Sequence, residues 1–285
     1  MENLKKISNN IYILPFNKYN DRPILGFIKG KNFDINIDCG NSYNHAQLFI
    51  SEINKITTPN IKFSINTHWH WDHCFGNIAF NNDIISSDTT KEKISYLSKL
   101  EWDNRSLESR VKSGEEIEFC REHIIKEFPN NKRKIKIKIP NLTFSKKFNL
   151  NLGNLNCELI KINCDHSEDS IIAHIKEEKT VFVGDSLYMN MYEGDWYYTP
   201  SIFIPYLNQL LSLNANIYIP SHHNIISKKD LINLRNTAQT IIDLLEENNY
   251  CKAKVINKLV NIYKKTIDNE IEEILDGFIN NNKRR

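Results

Sequence analysis

The sequence lacks the features that mark membrane-spanning and exported proteins. None of its apolar runs approaches the ~18 residues that a membrane-spanning helix needs. The segment from Met1 to Lys6 does not provide the apolar core of a signal peptide. With 40% hydrophobic and 25% charged residues over 285 positions, the composition is typical of a globular protein with a substantial core. We therefore expect a cytoplasmic protein with no membrane partner.

The sequence also lacks a large excess of one charge, because it contains 37 basic and 35 acidic residues and has a net charge of +2. Since a nucleic-acid-binding protein usually presents a basic field, we expect no nucleic-acid partner. One local run, residues 131–139, is basic, but its lysines alternate with Ile135, Ile137 and Ile139. Alternation of period two predicts a half-exposed strand whose isoleucines face inward and whose lysines lie in water.

Paired cysteines are absent as well. The six cysteines include no Cys-x-x-Cys pair, which is the spacing of many metal-binding and redox motifs. A chain of this length without an export signal gives no reason to expect a disulfide framework.

Histidine is scarce but unevenly distributed. Three of the nine histidines lie in residues 66–73, whose sequence is NTHWHWDH. A purification tag is homopolymeric and terminal, whereas this cluster is spaced and internal. Four ligand-type residues within six positions favour a metal site over a chance cluster.

The spacing of this cluster predicts two groups of ligands. The β-type run Ile61–Ile65 precedes it, and an extended segment would point His68 and His70 to the same side. Asp72 and His73 then begin the next turn or helix and can reach a second point. Imidazole and carboxylate suit zinc, iron or manganese at open catalytic sites. We interpret the stretch as part of a dinuclear metal centre.

The pattern His68-x-His70-x-Asp72-His73 resembles the signature of the metallo-β-lactamase superfamily, a large group of metal-dependent hydrolases. The resemblance implies an α/β fold, a four-layer αβ/βα sandwich with a helical C-terminal extension. It leaves open the branch of the family, for which lactonases and glyoxalase II-like enzymes are candidates.

The same resemblance suggests how the chain is divided. Residues 1–247 would form the hydrolase domain, with a helical insert at about residues 88–130 that could line the substrate cavity or cover the fold. Residues 248–285 would form the helical extension, which could cover the domain or make a homodimer contact. We expect Asn280 to Arg285 to be a frayed polar tail.

A further ligand implied by the resemblance is His166, in the loop after a turn-linked strand pair. With the first two histidines of the motif it would form a three-histidine site that leaves room for water. The family's usual proline and glycine are replaced here by Cys164 and Asp165. A loop histidine without a ligand role is the alternative. Cys164 and Cys74 are displaced from the family's ligand positions, so we expect both to be small packed side chains.

The resemblance supplies the remaining ligands from two later strand ends. Asp185 would bridge the two metals and, with Asp72, His73 and a final histidine, would build the second site. The final histidine follows an Ile-Pro-Ser segment in which serine replaces the family's glycine. The register of the family pattern selects His222, with His223 as the alternative. Adjacent residues of an extended chain point in opposite directions, so we do not expect both to bind.

Two other residues match supporting positions of the family. Asp38 would contact the ligating side chains without binding metal, although a turn or helix-cap role for Asp38 or Ser42 is the alternative. Tyr188 stands three residues after Asp185, where lactone-cleaving members have a tyrosine that hydrogen-bonds the substrate carbonyl. A core position for Tyr188 is the alternative. Among the histidines without a matching motif, we expect His45 to be a surface or packing residue and His123 to be exposed.

The chemistry implied by the resemblance is hydrolysis. Two divalent cations, with Zn²⁺ as first choice and Fe or Mn as alternatives, would share a bridging hydroxide that attacks a bound electrophile. Asp72 would also accept a proton and pass it to the leaving group.

The expected substrate is a small molecule with an ester, lactone, thioester or amide bond. The aromatic residues at 188–198, with Trp69 and Trp71, favour an organic substrate with apolar surface, unless they are simply part of the core. A nuclease or phosphodiesterase of the same fold and a non-catalytic metal-binding module are the alternatives.

Overall fold

A computed structural model describes residues 3–264 and 266–284. The first two residues of the predicted hydrolase domain lie outside these ranges, as do Lys265 and Arg285 of the predicted extension. Within the described ranges, no helix is both long and apolar enough to cross a membrane.

The N-terminal half forms a seven-stranded sheet whose strands follow the order of the chain. The strands are β1 (Lys5–Lys6), β2 (Ile11–Leu14), β3 (Leu25–Ile28), β4 (Asp34–Ile37), β5 (Ile61–Ile65), β6 (Asp83–Ser87) and β7 (Leu142–Phe144). Strands β1 to β4 pair in antiparallel fashion, and β4 to β7 pair in parallel. The parallel strands therefore present their carboxyl ends along one edge of the sheet.

The second half forms a six-stranded sheet in the order β13-β12-β11-β10-β9-β8. These strands are β8 (Lys147–Asn151), β9 (Asn156–Lys161), β10 (Ile171–Ile175), β11 (Thr180–Gly184), β12 (Ile217–Pro220) and β13 (Ile226–Ser227). Only β11 and β12 pair in parallel among the described strands of this sheet. The helix between them makes the crossover that a parallel pair requires.

Helices flank both sheets. They are α1 (Tyr43–Asn54), α2 (Trp71–Cys74), α3 (Asp88–Leu97), α4 (Asn104–Ser113), α5 (Glu118–Glu127), α6 (Pro200–Ser212), α7 (Lys228–Glu247), α8 (Lys252–Tyr263) and α9 (Asn269–Lys283). A short 3-10 helix, Phe75–Ala79, follows α2 directly. Helices α3, α4 and α5 fall within the predicted insert, and their buried side chains form one cluster with Trp71, Phe75 and Trp102.

The burial of the strands shows why two layers of helices are needed. Along β10, Ile171 and Ala173 pack between the two sheets, whereas Ile172 packs against the outer helices. In β11, Phe182 faces the other sheet, while Val181 faces the helices. Because side chains alternate across a strand, a strand that is apolar on both faces must be covered on both.

The remaining helices complete the four-layer αβ/βα sandwich predicted from the sequence. Helix α1 buries Phe49 and Ile53 against the outer face of the first sheet, and α6 and α7 cover the second. Helices α8 and α9 form the C-terminal extension and bury Leu259 and Phe278 in the same cluster as α7.

The predicted strand at residues 131–139 is wrong, because this segment has no regular secondary structure and pairs with no strand. Ile135 and Ile137 do pack on the insert, but Ile139 is exposed. Lys138 is tied to the fold, since its Nζ donates to the Phe80 carbonyl at 2.8 Å. The alternation of isoleucine and lysine therefore reflects partial packing of the isoleucines, without hydrogen bonding to a neighbouring strand.

The frayed tail predicted at residues 280–285 is also wrong. Helix α9 continues to Lys283, and the Arg284 guanidinium donates to Glu193 Oε2 at 2.6 Å. The guanidinium also lies 4.3 Å from the centre of the Tyr197 ring. The end of the helix is thus held by the loop before α6, and Arg285 lies outside the described residues.

The prediction that His123 is exposed is also wrong, because this residue is only 8% exposed. Its Nδ1 lies 2.8 Å from the Phe119 carbonyl, and its ring packs on the ring of Phe119. His45 is fully buried at the start of α1, so it is a packing residue.

Candidate metal centre

The candidate site is built from loops that follow the carboxyl ends of strands. Residues 66–73 follow β5, and His166 lies in the loop after β9. Asp185 directly follows β11, and His222 comes two residues after β12. The carboxyl ends of strands in α/β sheets are a common position for ligand sites. The fold therefore delivers side chains that are far apart in the sequence to one place.

A first cluster contains His68, His70, His166 and Asp185, all of them buried. His166 Nε2 lies 3.0 Å from His70 Nδ1 and 3.4 Å from Asp185 Oδ2. Asp185 Oδ2 is also 3.9 Å from His68 Nε2. All four ligand atoms lie within 4.8 Å of one another.

A second cluster contains Asp72, His73, His222 and again Asp185. Asp72 Oδ2 lies 2.9 Å from His73 Nε2 and 3.1 Å from His222 Nε2. Asp185 Oδ2 lies 3.4 Å from His73 Nε2 and 3.5 Å from His222 Nε2. The same carboxylate oxygen therefore stands between the two clusters.

The distances within both clusters fit divalent cations. A tetrahedral ion with ligands at 2.0–2.1 Å holds them about 3.4 Å apart, which matches the spacings around Asp185 Oδ2. Three buried atoms of the two clusters, His68 Nε2, His73 Nε2 and Asp185 Oδ1, have no hydrogen-bond partner among the described residues. An unpaired buried polar atom is costly, and bound cations would satisfy these atoms.

Burial keeps the three histidines of the first cluster neutral. It lowers the pKa of His68 and of His70 well below the usual range, and it also lowers the pKa of His166. Removal from water disfavours the charged imidazolium form. Neutral imidazole is the form that binds metal, so the three histidines are prepared as ligands.

Charge pairing dominates in the second cluster. Burial would raise the pKa of Asp72 and of Asp185, but His73 and His222 hold both values below the usual range. Conversely, burial would lower the pKa of these two histidines, but the nearby carboxylates raise both values. The two carboxylates are therefore ionised, as a cation site requires.

Contacts behind the ligands fix their orientation. The predicted contact of Asp38 is confirmed, since its Oδ2 lies 2.8 Å from His73 Nδ1 and its Oδ1 accepts from the Thr67 backbone N–H at 2.8 Å. Thr67 Oγ1 in turn lies 3.2 Å from His68 Nδ1. His166 Nδ1 donates to the Met189 carbonyl at 3.1 Å.

The structure distinguishes the two candidates for the final histidine. His222 enters the second cluster, whereas His223 is exposed and its ring lies 5.1 Å from that of Tyr188. The cysteines near the motif, Cys74 and Cys164, are buried and lie in neither cluster.

Tyr188 lies beside the two clusters. Its hydroxyl accepts a hydrogen bond from the His222 backbone N–H at 3.0 Å, and its ring centre is 6.0 Å from that of His166. Burial raises the pKa of Tyr188 well above the usual range, so the hydroxyl stays protonated. The predicted role of this hydroxyl at a substrate carbonyl stays a prediction.

Aromatic side chains rim the first cluster. The rings of Trp69 and Tyr192 lie 4.9 Å and 5.3 Å from the ring of His70. The Tyr192 hydroxyl donates to Glu116 Oε1 at 3.1 Å, which connects this rim to the insert. Trp71 is instead a core residue, 3% exposed, and packs in the cluster of the insert.

Sequence reasoning missed Asp21, which reaches the site from the loop between β2 and β3. Its Oδ1 lies 3.4 Å from His222 Nδ1, and burial raises the pKa of Asp21 to about 7. The sequence around it, Asn20 to Pro23, indicates a turn but contains no metal-site pattern. Only the tertiary fold brings residues 21 and 222 together.

Comparison with known proteins gives one family model, described as the metallo-beta-lactamase superfamily, which matches residues 26–222. No curated protein matches the sequence.

Three solved structures are similar to this fold. A metallo-beta-lactamase from Pontibacter korlensis has a TM-score of 0.57 and 16% identity, over 82% of this chain and 96% of that chain. An archaeal superfamily protein from Sulfolobus tokodaii has a TM-score of 0.55 and 14% identity, over 81% and 87%. The stereoselective inverting sec-alkylsulfatase Pisa1 from Pseudomonas sp. has a TM-score of 0.62 and 12% identity, over 93% and 43%. At these identities the similarity concerns the fold.

Proposed function

The chain belongs to the metallo-β-lactamase superfamily, and from that premise we propose that it is a metal-dependent hydrolase of a small organic molecule. The bond that we propose is an ester, lactone, thioester or amide. One observation carries the proposal: two groups of histidine and aspartate share Asp185 Oδ2. This arrangement suits a pair of cations that act on one substrate.

Seven side chains would hold the cations. His68, His70 and His166 would hold one, and Asp72, His73 and His222 the other, with Asp185 shared between them. We propose Zn²⁺ first, with iron and manganese as alternatives, because imidazole and carboxylate suit all three. When bound, two such cations lower the pKa of a coordinated water molecule and polarise an acyl oxygen.

The chain's own groups would move the protons. Asp72 is ionised and buried in the second cluster, so it can accept a proton from the attacking water and return it to the leaving group. The protonated Tyr188 hydroxyl can donate to the carbonyl oxygen of the substrate, where negative charge develops.

The surroundings of the site favour an apolar organic substrate. Trp69 and Tyr192 present aromatic rings beside His70. Among the ion pairs of the described residues, those that involve the clusters join histidine to aspartate and include no lysine or arginine. A phosphodiester would need more positive charge at this place.

The proposal is tested by turnover of model substrates with the metal-loaded protein. A panel of lactone, thioester and phosphodiester substrates is expected to show turnover of the acyl compounds, with His68→Ala losing both turnover and metal. Preference for the phosphodiester would favour a nuclease of the same fold. Metal uptake without any turnover would favour a non-catalytic binding module. Full metal content and full turnover in His68→Ala would contradict the proposed mechanism.

A further inference from the structure

We propose that Asp21 is a positioning residue for His222 and thereby for the second metal cluster, an inference that rests on the proposed metal-binding function. Asp21 Oδ1 lies 3.4 Å from His222 Nδ1, while the other ring nitrogen, Nε2, faces Asp72 and Asp185. An imidazole that binds a cation through Nε2 carries its proton on Nδ1. A carboxylate at that nitrogen fixes both the tautomer and the orientation of the ring.

The other histidines that would bind through Nε2 have equivalent partners. His73 Nδ1 faces the Asp38 carboxylate, and His166 Nδ1 faces the Met189 carbonyl. His68 Nδ1 faces the Thr67 hydroxyl. Asp21 is the corresponding partner of His222. Unlike the partners of the other three histidines, it lies in the loop between β2 and β3.

The backbone of this loop is fixed next to the strand end that carries His222. Two hydrogen bonds, of 2.9 and 3.0 Å, join the backbones of Asn17 and Arg22 on either side of Asp21. The Ile24 N–H donates to the Ser221 carbonyl at 2.7 Å. Asp21 itself has a φ of +54°, a left-handed conformation that aspartate tolerates better than most residues.

Side chains from two other elements hold the neighbours of Asp21. The Arg22 guanidinium donates to Glu127 Oε1 at 3.0 Å, and the Asn20 amide also donates to the Glu127 carboxylate. Asn41 Nδ2 donates to the Asn20 carbonyl at 2.8 Å. The carboxylate of Asp21, only 15% exposed, therefore has a defined position beside His222.

This geometry predicts an effect on one cation only. Asp21 faces His222, whereas His68 and His166 of the first cluster have their own partners, Thr67 and Met189. Loss of the Asp21 carboxylate should therefore weaken the second cation and spare the first. Removal of such a partner typically weakens metal affinity about 10- to 100-fold.

The test compares Asp21→Gly, Asp21→Asn and a control, Asp243→Ala, in the full chain. Glycine removes the carboxylate and favours the left-handed backbone, and asparagine keeps both this backbone and an acceptor oxygen. Asp243 is exposed on α7 and controls for the loss of one negative charge. Stepwise Zn²⁺ affinities are measured by competition with a chromophoric chelator, and circular dichroism checks the fold.

The expected result for Asp21→Gly is that one of the two Zn²⁺ ions is held about 10- to 100-fold more weakly, while the affinity for the other is unchanged. Asp21→Asn should lose less, and Asp243→Ala should match the wild type. Equal affinities in Asp21→Gly and wild type, or equal weakening of both cations, would overturn the role of Asp21 and leave the proposed function intact. A wild type that binds no Zn²⁺ would contradict the proposed function itself.

Discussion

Tyr188 offers the sharpest test of a single side chain beside the metal centre. Tyr188→Phe keeps the ring but removes the hydroxyl that we propose as a donor to the substrate oxygen. Loss of one such donor is expected to lower kcat by about 100- to 1,000-fold. Steady-state kinetics on the acyl substrate of the panel, with metal content measured in parallel, would show this.

The hydroxyl of Tyr188 also accepts the His222 backbone N–H, so a stability effect must be separated from catalysis. Leaving that N–H without a partner costs about 1–3 kcal/mol of unfolding free energy. A variant that is less stable but keeps normal kcat and both metals would assign Tyr188 a structural role only.

For single residues, the sequence predicts metal ligands where the ligating residues lie close together in the chain. It gives no signal where they lie far apart in the chain. His68, His70, Asp72 and His73 form a local pattern that predicts ligands by spacing alone. The sequence around Asp21 contains no such pattern, because its partner His222 lies far away in the chain and only the folded structure brings the two together. Sequence polarity also suggested that His123 is exposed, whereas a backbone carbonyl and an aromatic ring accommodate it in the core of the insert.

Helix α5 of the insert contacts the loop that carries Asp21 through the carboxylate of Glu127, whose side chain is 3% exposed. It accepts hydrogen bonds from Arg22, Asn20 and Ser42. Glu127→Ala removes an acceptor that Asn20 and Ser42 use in a buried place, so we expect the protein to lose about 1–3 kcal/mol of unfolding free energy. Urea denaturation measures the change.

A matched control lies on the exposed face of the same helix. Glu118 pairs with Arg121 in water, and such pairs contribute about 0–1 kcal/mol. Glu118→Ala should therefore stay within about 0.5 kcal/mol of the wild type. Equal effects of the two substitutions would show that Glu127 does not hold the loop.

Elements with a strong apolar pattern could be predicted, and those that depend on distant partners could not. The strand ending at Gly184 has apolar residues on both faces and was evident from the sequence. Residues 131–139 have the period of a strand, but no neighbouring strand pairs with them. The last turn of α9 looked like a polar tail because Glu193, its partner, lies about 90 residues earlier.

The four-layer architecture of the molecule follows from the need to cover both faces of each sheet. The family resemblance predicted the four-layer arrangement, and the two-sided burial of β10 and β11 explains it physically. The convergence of the ligand loops at the strand ends then follows from the strand directions. The substrate depends on loop and insert side chains such as Tyr192, whose position relative to His70 has no signal in the sequence.

The two clusters should respond differently to pH. Although burial opposes protonation, the nearby carboxylates raise the pKa of His73 and of His222, so the metal-free protein holds protons there at neutral pH. Burial lowers the pKa of His68 and of His70, which are already neutral. Since a cation must displace the protons, the affinity of the second cluster should rise with pH between about 6 and 8, more than that of the first.

Calorimetric Zn²⁺ titrations in buffers of different ionisation enthalpy measure this proton release. Zn²⁺ binding at the second cluster should release more protons than binding at the first, so the two binding steps should differ in proton release. Identical proton release in both steps would show that the carboxylates do not hold protons on His73 and His222.

The most direct measurement is the metal content of the purified protein after Zn²⁺ loading and dialysis, compared between His222→Ala and His223→Ala. These adjacent histidines differ in one respect that matters: only His222 enters a cluster. We predict two equivalents of metal in the wild type and in His223→Ala, and one equivalent in His222→Ala. Two equivalents in His222→Ala, or none in the wild type, would contradict a centre in which Asp185 joins two cations.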